Sequence, residues 1–133
     1  MKIKVSEASG RVLDWLVAKC EGATDLSFDT VSTYWTKLNG KDRALGANGW
    51  SDAQRFAPSS EWLYGGPIIE RNKINLQFCR DLRDRNGLYI HAEMDTHSHH
   101  GYWLGSHDKP LIAAMRCYVV SKLGEEVEVP DEL

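Results

Sequence analysis

All five histidines of the chain, His91, His97, His99, His100 and His107, fall in one segment. If a strand runs through it, His91, Glu93, Asp95, His97 and His99 stand on one face, because strand side chains alternate with a period of two. A His-x-His pair such as His97 and His99 can then offer two imidazoles to one Zn²⁺, with Glu93, Asp95 or His107 completing an open site. A metal-dependent hydrolase or nuclease built on His91, His97 and His99 would use that ion to activate water or polarise a phosphoryl oxygen. The same alternation also describes a solvent-facing strand, and Asp95 to Gly101 has turn composition. This second reading outweighs the first, since no His-Glu-x-x-His or comparable spacing accompanies the pair. No cofactor is therefore expected, with zinc as the alternative. The His-x-His pairs of large barrel hydrolases do not apply, because such barrels need about 250 residues.

Arg116 is the second residue with chemistry to offer. It stands in the middle of an otherwise apolar run, so its guanidinium must reach water along the helix edge or find a partner inside. Asp14 and Glu70 are the expected partners. A core ion pair outweighs the alternative, in which Arg116 lines a pocket and holds a carboxylate or phosphate through its planar fork.

Five tryptophans, Trp15, Trp35, Trp50, Trp62 and Trp103, form the third group. Trp15 is expected in the core. Trp62 precedes Leu63-Tyr64-Gly65-Gly66-Pro67 and Trp103 sits in Gly101-Tyr102-Trp103, segments where glycine lets backbone approach a ligand. A Gly-Gly-Pro sequence is more often simply a turn, and no phosphate-loop or dinucleotide-binding glycine pattern occurs. Nor does a nucleophile elbow or Cys-His signature, and Cys117 in its apolar run reads as packing. The candidate ligand surface is therefore Trp62, Gly65, Gly66, Glu70, Trp103 and Arg116.

The elements that must position these residues are partly visible. Residues 6 to 21 read as a helix with Ser6 as N-cap and Gly22 as stop, its apolar stripe being Val12, Leu13, Leu16, Val17 and Cys20. Arg11, Asp14 and Ala18 fall away from that stripe. Thr30 to Trp35 has strand composition. Turn chemistry at Asn39-Gly40, Gly46 and Asn48-Gly49 marks 38 to 60 as a long loop or insertion. Ile74, Leu76 and Phe78, then Leu88, Ile90, Ala92 and Met94, alternate with polar residues and predict a β-hairpin covered on one face. Asp108 as N-cap, Pro110 and Gly124 bracket a last helix with almost no polar face, which must be buried nearly all round. The expectation is an α+β domain of two layers, a small antiparallel sheet packed by an N-terminal and a C-terminal helix. An acidic tail at 125 to 133 ends in a short edge strand at Val127 to Val129 or in disorder.

Three segments resemble the NinX family of lambdoid bacteriophage and prophage accessory proteins. They are Lys4-Val5-Ser6-Glu7 with Gly10-Arg11-Val12-Leu13-Asp14-Trp15-Leu16-Val17-Ala18; Pro58-Ser59-Ser60-Glu61-Trp62 with Gly65-Gly66-Pro67-Ile68-Ile69-Glu70; and Pro110 to Gly124 with its acidic tail. They cover a little under half of the chain, from both ends and the centre. The resemblance implies a phage protein expressed in the infected bacterial cytoplasm, and it brings no established activity. The segments from Ala23 to Ala57 and around His97 depart from the resemblance.

Composition bounds the rest. The 133 residues and 15.1 kDa suit one domain, spanning 1 to 133. A net charge of −3 leaves binding to a phosphate backbone unsupported. The apolar runs are too short for a membrane span, no signal peptide is read at Met1-Lys2-Ile3-Lys4, and three cysteines without a Cys-x-x-Cys pair read as thiols in a reducing cytosol. The sequence thus points to a non-catalytic binding protein whose partner is a host protein or a small anionic, nucleotide-like ligand, with a homodimer as a further possibility.

Overall fold

The computed structural model describes residues 1–28, 33–46, 50–80, 88–95, 102–107 and 109–133, with backbone alone at Leu88, Asp95 and 102–107. The order is β1 (Lys2–Lys4), a 3-10 turn (Val5–Glu7), α1 (Gly10–Cys20), β2 (Thr24–Phe28), β3 (Tyr34–Leu38), β4 (Lys41–Leu45) and β5 (Arg55–Phe56). There follow α2 (Trp62–Asn72), β6 (Asn75–Arg80), β7 (Leu88–Asp95), β8 (Tyr102–His107), α3 (Pro110–Leu123) and β9 (Glu126–Glu128). The α+β class is as expected, but the small sheet is divided in three among the described residues. β1 pairs with β9, β2-β3-β4-β5 form a four-stranded sheet, and β6-β7-β8 form a three-stranded one.

The last helix carries the core. Leu111 through Val120 are all buried, Arg116 included, because α3 is enclosed by β8 and β7 on one side and by α1 and α2 on others. Pro110 occupies its first turn, where the missing N–H costs nothing, and Gly124 closes it. Lys109 holds the N-cap position; the expected cap, Asp108, lies outside the described residues. The β6–β7 hairpin is antiparallel with Leu76 opposite Ala92 and Phe78 opposite Ile90, so the alternating apolar residues do share a face. α3 covers β8 and β7 and touches β6 less, which buries Ile90 and Ala92 and leaves Phe78 65% exposed.

Five expectations are corrected. α1 starts at Gly10 with Ser9 as N-cap, three residues after Ser6. The preceding turn is anchored elsewhere: buried Val5 donates its N–H to the Glu125 carbonyl, and the Ala8 carbonyl accepts from Arg116. The helix cannot begin until both are passed. Asp14 and Ala18 are buried, because α1 packs on α3 and also meets β3 and β4, which widens its buried face beyond one stripe.

Residues 38 to 60 are not one long loop. Asn39 and Gly40 take φ of +55° and +76° and close a two-residue hairpin between β3 and β4, with Leu38 opposite Lys41. β5 then pairs in parallel with β4. The strand expected at Thr30 to Trp35 instead runs from Tyr34 to Leu38, and residues 30–32 of that span lie outside the described residues.

The Gly-Gly-Pro segment is helical. α2 carries Gly65, Gly66 and Pro67 in its interior and ends at Lys73 in the left-handed region. Each of the three weakens a helix. Packing supplies the compensation: Ile68 is 2% exposed, and Gly65 lies against the Pro58 carbonyl and Leu111, where a Cβ would come within 2.5 Å and 2.6 Å of them. Its missing side chain serves the approach of α2 to its own protein.

Candidate functional site

Three helices begin around one cavity. Its volume is about 570 Å³, within the roughly 300–1,000 Å³ typical of small-molecule sites. Ser9, Gly10, Arg11 and Asp14 line it from the start of α1; Ser59, Ser60 and Trp62 from the start of α2; Lys109, Pro110, Leu111 and Ile112 from the start of α3; Gly46 from the end of β4. Each helix start carries a partial positive charge and unpaired N–H groups. The N-cap residues Ser9, Glu61 and Lys109 make no side-chain capping bond. Arg11 and Lys109 line it as well, with the Arg11 guanidinium turned onto the Tyr34 ring, and so do Ser9, Ser59 and Ser60. Trp62, 54% exposed, brings an indole to the rim.

Asp14 is the cavity's acid. It is 1% exposed, and its Oδ1 accepts the Ser59 N–H at 2.8 Å. Burial pushes its carboxyl up to about 6, while the two bonds from Ser59 hold it back. Gly46, at φ +58°, backs it with bare main chain: a Cβ there would stand 3.2 Å from Asp14 Oδ2, and an L side chain would be strained in that conformation. Glu61, next to the cavity, is held by Arg55 through two bonds of 2.6 Å, which lowers its pKa. The Arg11 guanidinium lies 4.0 Å from the centre of the Tyr34 ring, a cation-π contact that orients it.

Of the candidate ligand residues whose side chains are described, Trp62 alone lines this cavity. Gly65 is buried behind it in packing, Gly66 is half-buried and Glu70 is exposed on α2. Arg116 is 7% exposed and donates Nε to the Ala8 carbonyl at 2.8 Å, beneath the turn that leads into α1. Of its expected partners, Asp14 accepts the Ser59 N–H and Glu70 is exposed. Trp103 stands on β8, and its side chain lies outside what is described. Arg11, Asp14, Ser9, Ser59, Ser60 and Lys109 were not among the candidate ligand residues read from the sequence, which named Asp14 only as a partner for Arg116. The signal for them was the position of Ser9-Gly10, Pro58-Ser59-Ser60 and Lys109-Pro110 at helix starts, which only the assembled fold shows to be neighbours.

His91 and Glu93 share a face of β7, with Nε2 and Oε2 3.9 Å apart. His97, His99 and His100 lie outside the described residues, and among those described no three metal-ligating side chains converge. The Cys20 thiol is pushed up to about 12, by burial first and the Glu21 carboxylate next, the opposite of an activated nucleophile. No helix among the described residues is long and apolar enough to cross a membrane.

A family model described as "Bacteriophage P22, NinX" matches residues 4–122, which includes every lining residue of the cavity. A search of curated proteins returns no match.

Proposed function

The chain belongs to the NinX family of bacteriophage proteins, and from that premise we propose that it is a non-catalytic phage accessory protein that binds a small anionic, nucleotide-like ligand in the cytoplasm of the infected bacterial host. The observation that carries this reading is the cavity itself, which is lined by Arg11, Lys109, three serines and the starts of three helices. A phosphate group matches that set in charge and in its number of acceptor oxygens. Trp62 at the rim is placed to stack on a base. The sequence carries no nucleophile elbow or Cys-His signature, which is why binding rather than turnover is proposed. The exposed neighbours Trp62 and Leu63, 54% and 57% accessible, favour a second reading in which the same rim meets a host protein.

Native mass spectrometry of the untagged chain, with titration of inorganic phosphate and a nucleoside monophosphate, tests the proposal. A phosphate-sized or nucleotide-sized added mass, weakened by Arg11→Ala and, for the nucleotide alone, by Trp62→Ala, is the expected result. A bare chain that takes up neither compound at millimolar concentration would overturn the small-ligand reading and leave the host protein.

A further inference from the structure

An anion cavity has no obvious use for a buried acid, yet Asp14 lines the same space as Arg11 and Lys109. A carboxylate beside a bound oxyanion faces it with like charge in a medium that screens poorly. One proton placed between them turns that repulsion into a charge-assisted hydrogen bond. We propose that the cavity selects an oxyanion carrying its own proton, hydrogen phosphate or a singly ionised phosphomonoester, over fully ionised sulfate, and that Asp14 is the residue that makes the selection. This rests on the anion-binding reading above.

The Ser59 N–H holds Oδ1 at 2.8 Å, and Oδ2 faces the space that a Cβ at Gly46 would fill, 3.2 Å away. A carboxylate has about four lone-pair sites, so it can accept a P–O–H bond in addition to those from Ser59. Arg11 from its own helix and Lys109 at the start of α3 line the same cavity, and the Glu61 carboxylate at the start of α2 acts on Asp14 through space. Among the described residues, the bend after β4 contributes the Gly46 backbone. Glu61 is already neutralised by Arg55, so Asp14 is the acid left to discriminate among anions. A hydrogen phosphate brings the proton that the pair requires. Sulfate brings none, and must wait until the protein supplies it. Burial places the Asp14 carboxyl at about 6, so the protein does so in mildly acidic solution.

Isothermal titration of the full chain with inorganic phosphate and with sulfate, at pH about 7.5 and about 5, reads the selection directly. Phosphate is expected to bind at least about tenfold tighter than sulfate at the higher pH. Sulfate should tighten roughly tenfold at the lower one, as Asp14 takes up its proton. Asp14→Asn, which keeps an acceptor for the Ser59 N–H, should remove the preference and flatten the sulfate profile. Equal binding of the two anions near pH 7.5, a wild-type sulfate affinity that ignores pH, or a preference that survives Asp14→Asn would each overturn the inference. The first two need no variant to fold. If neither anion binds at either pH, it is the anion cavity that fails.

Discussion

Asp14 also links the site to stability. Its carboxyl titrates at about 6 in the folded chain, against an ordinary value of 3.8. Between those values the native state holds more protons than the unfolded one, so stability falls as pH rises through the window, and the loss is complete above it. At 1.36 kcal/mol per pKa unit the full effect is up to roughly 3 kcal/mol. Urea unfolding should therefore show Asp14→Asn more stable than the parent at pH about 8 by up to that amount, with the gap closing by pH about 4. A gap of constant size across that range would contradict the buried acid. The two glycines of α2 make a sharper contrast. Gly65→Ala puts a methyl 2.5 Å from the Pro58 carbonyl and 2.6 Å from Leu111, which should cost about 1–3 kcal/mol. Gly66→Ala meets nothing within 4 Å and should stabilise the helix by about 0.5–1 kcal/mol. Thermal melts of the pair should move in opposite directions, and parallel shifts would mean that α2 does not pack as described.

The helices are tied together at their far ends by one carboxylate. Glu21, following α1, accepts two bonds of 2.6 and 2.7 Å from Arg71 of α2 and one of 2.8 Å from the Tyr118 hydroxyl of α3. Tyr118 is 2% exposed, whereas the Arg71 side chain is 56% exposed. Tyr118→Phe should cost about 1.5 kcal/mol through a lost bond to a charged group, and Arg71→Ala less than about 1 kcal/mol because water screens the pair. Chemical denaturation that ranks them the other way would refute this assignment. The same elements show how far sequence reading reached. α3 and the β6–β7 hairpin were legible because their apolar patterns are long and each has one period. α2 was not, since Gly65, Gly66 and Pro67 each argue against a helix and only the contact of Gly65 with Pro58 and Leu111 overrides them. β4 was missed for a related reason. Lys41-Asp42-Arg43 has no β-branched or aromatic residue, and its strand is imposed by the hairpin turn at Asn39-Gly40 and by pairing with β3.

At the scale of the whole molecule, the cavity is a consequence of how the three helices are arranged. α3 runs through the core with α1 and α2 beside it, and all three begin on one side, so positive helix ends accumulate there. No single segment encodes that accumulation, which is why, among the described side chains, Trp62 was the one cavity residue that the sequence candidates included. The chain as a whole carries a net charge of −3, so long-range attraction does not draw an anion to it, and on the proposed reading the attraction is local to the cavity. An occupant that bridges the three helix starts is bound by the folded state alone, and it must stabilise the fold in proportion to its excess over its dissociation constant. At a hundredfold excess that contribution is about 2.7 kcal/mol, which for a chain of this length raises Tm by roughly 10 °C. Inorganic phosphate should produce such a rise in scanning calorimetry at pH about 7.5, and Arg11→Ala should reduce it to a few degrees, roughly. Sodium chloride at matched ionic strength should leave Tm nearly unchanged, because screening of dispersed surface charge is weak and unspecific. An equal rise in chloride would assign the effect to bulk screening and remove the cavity from the explanation.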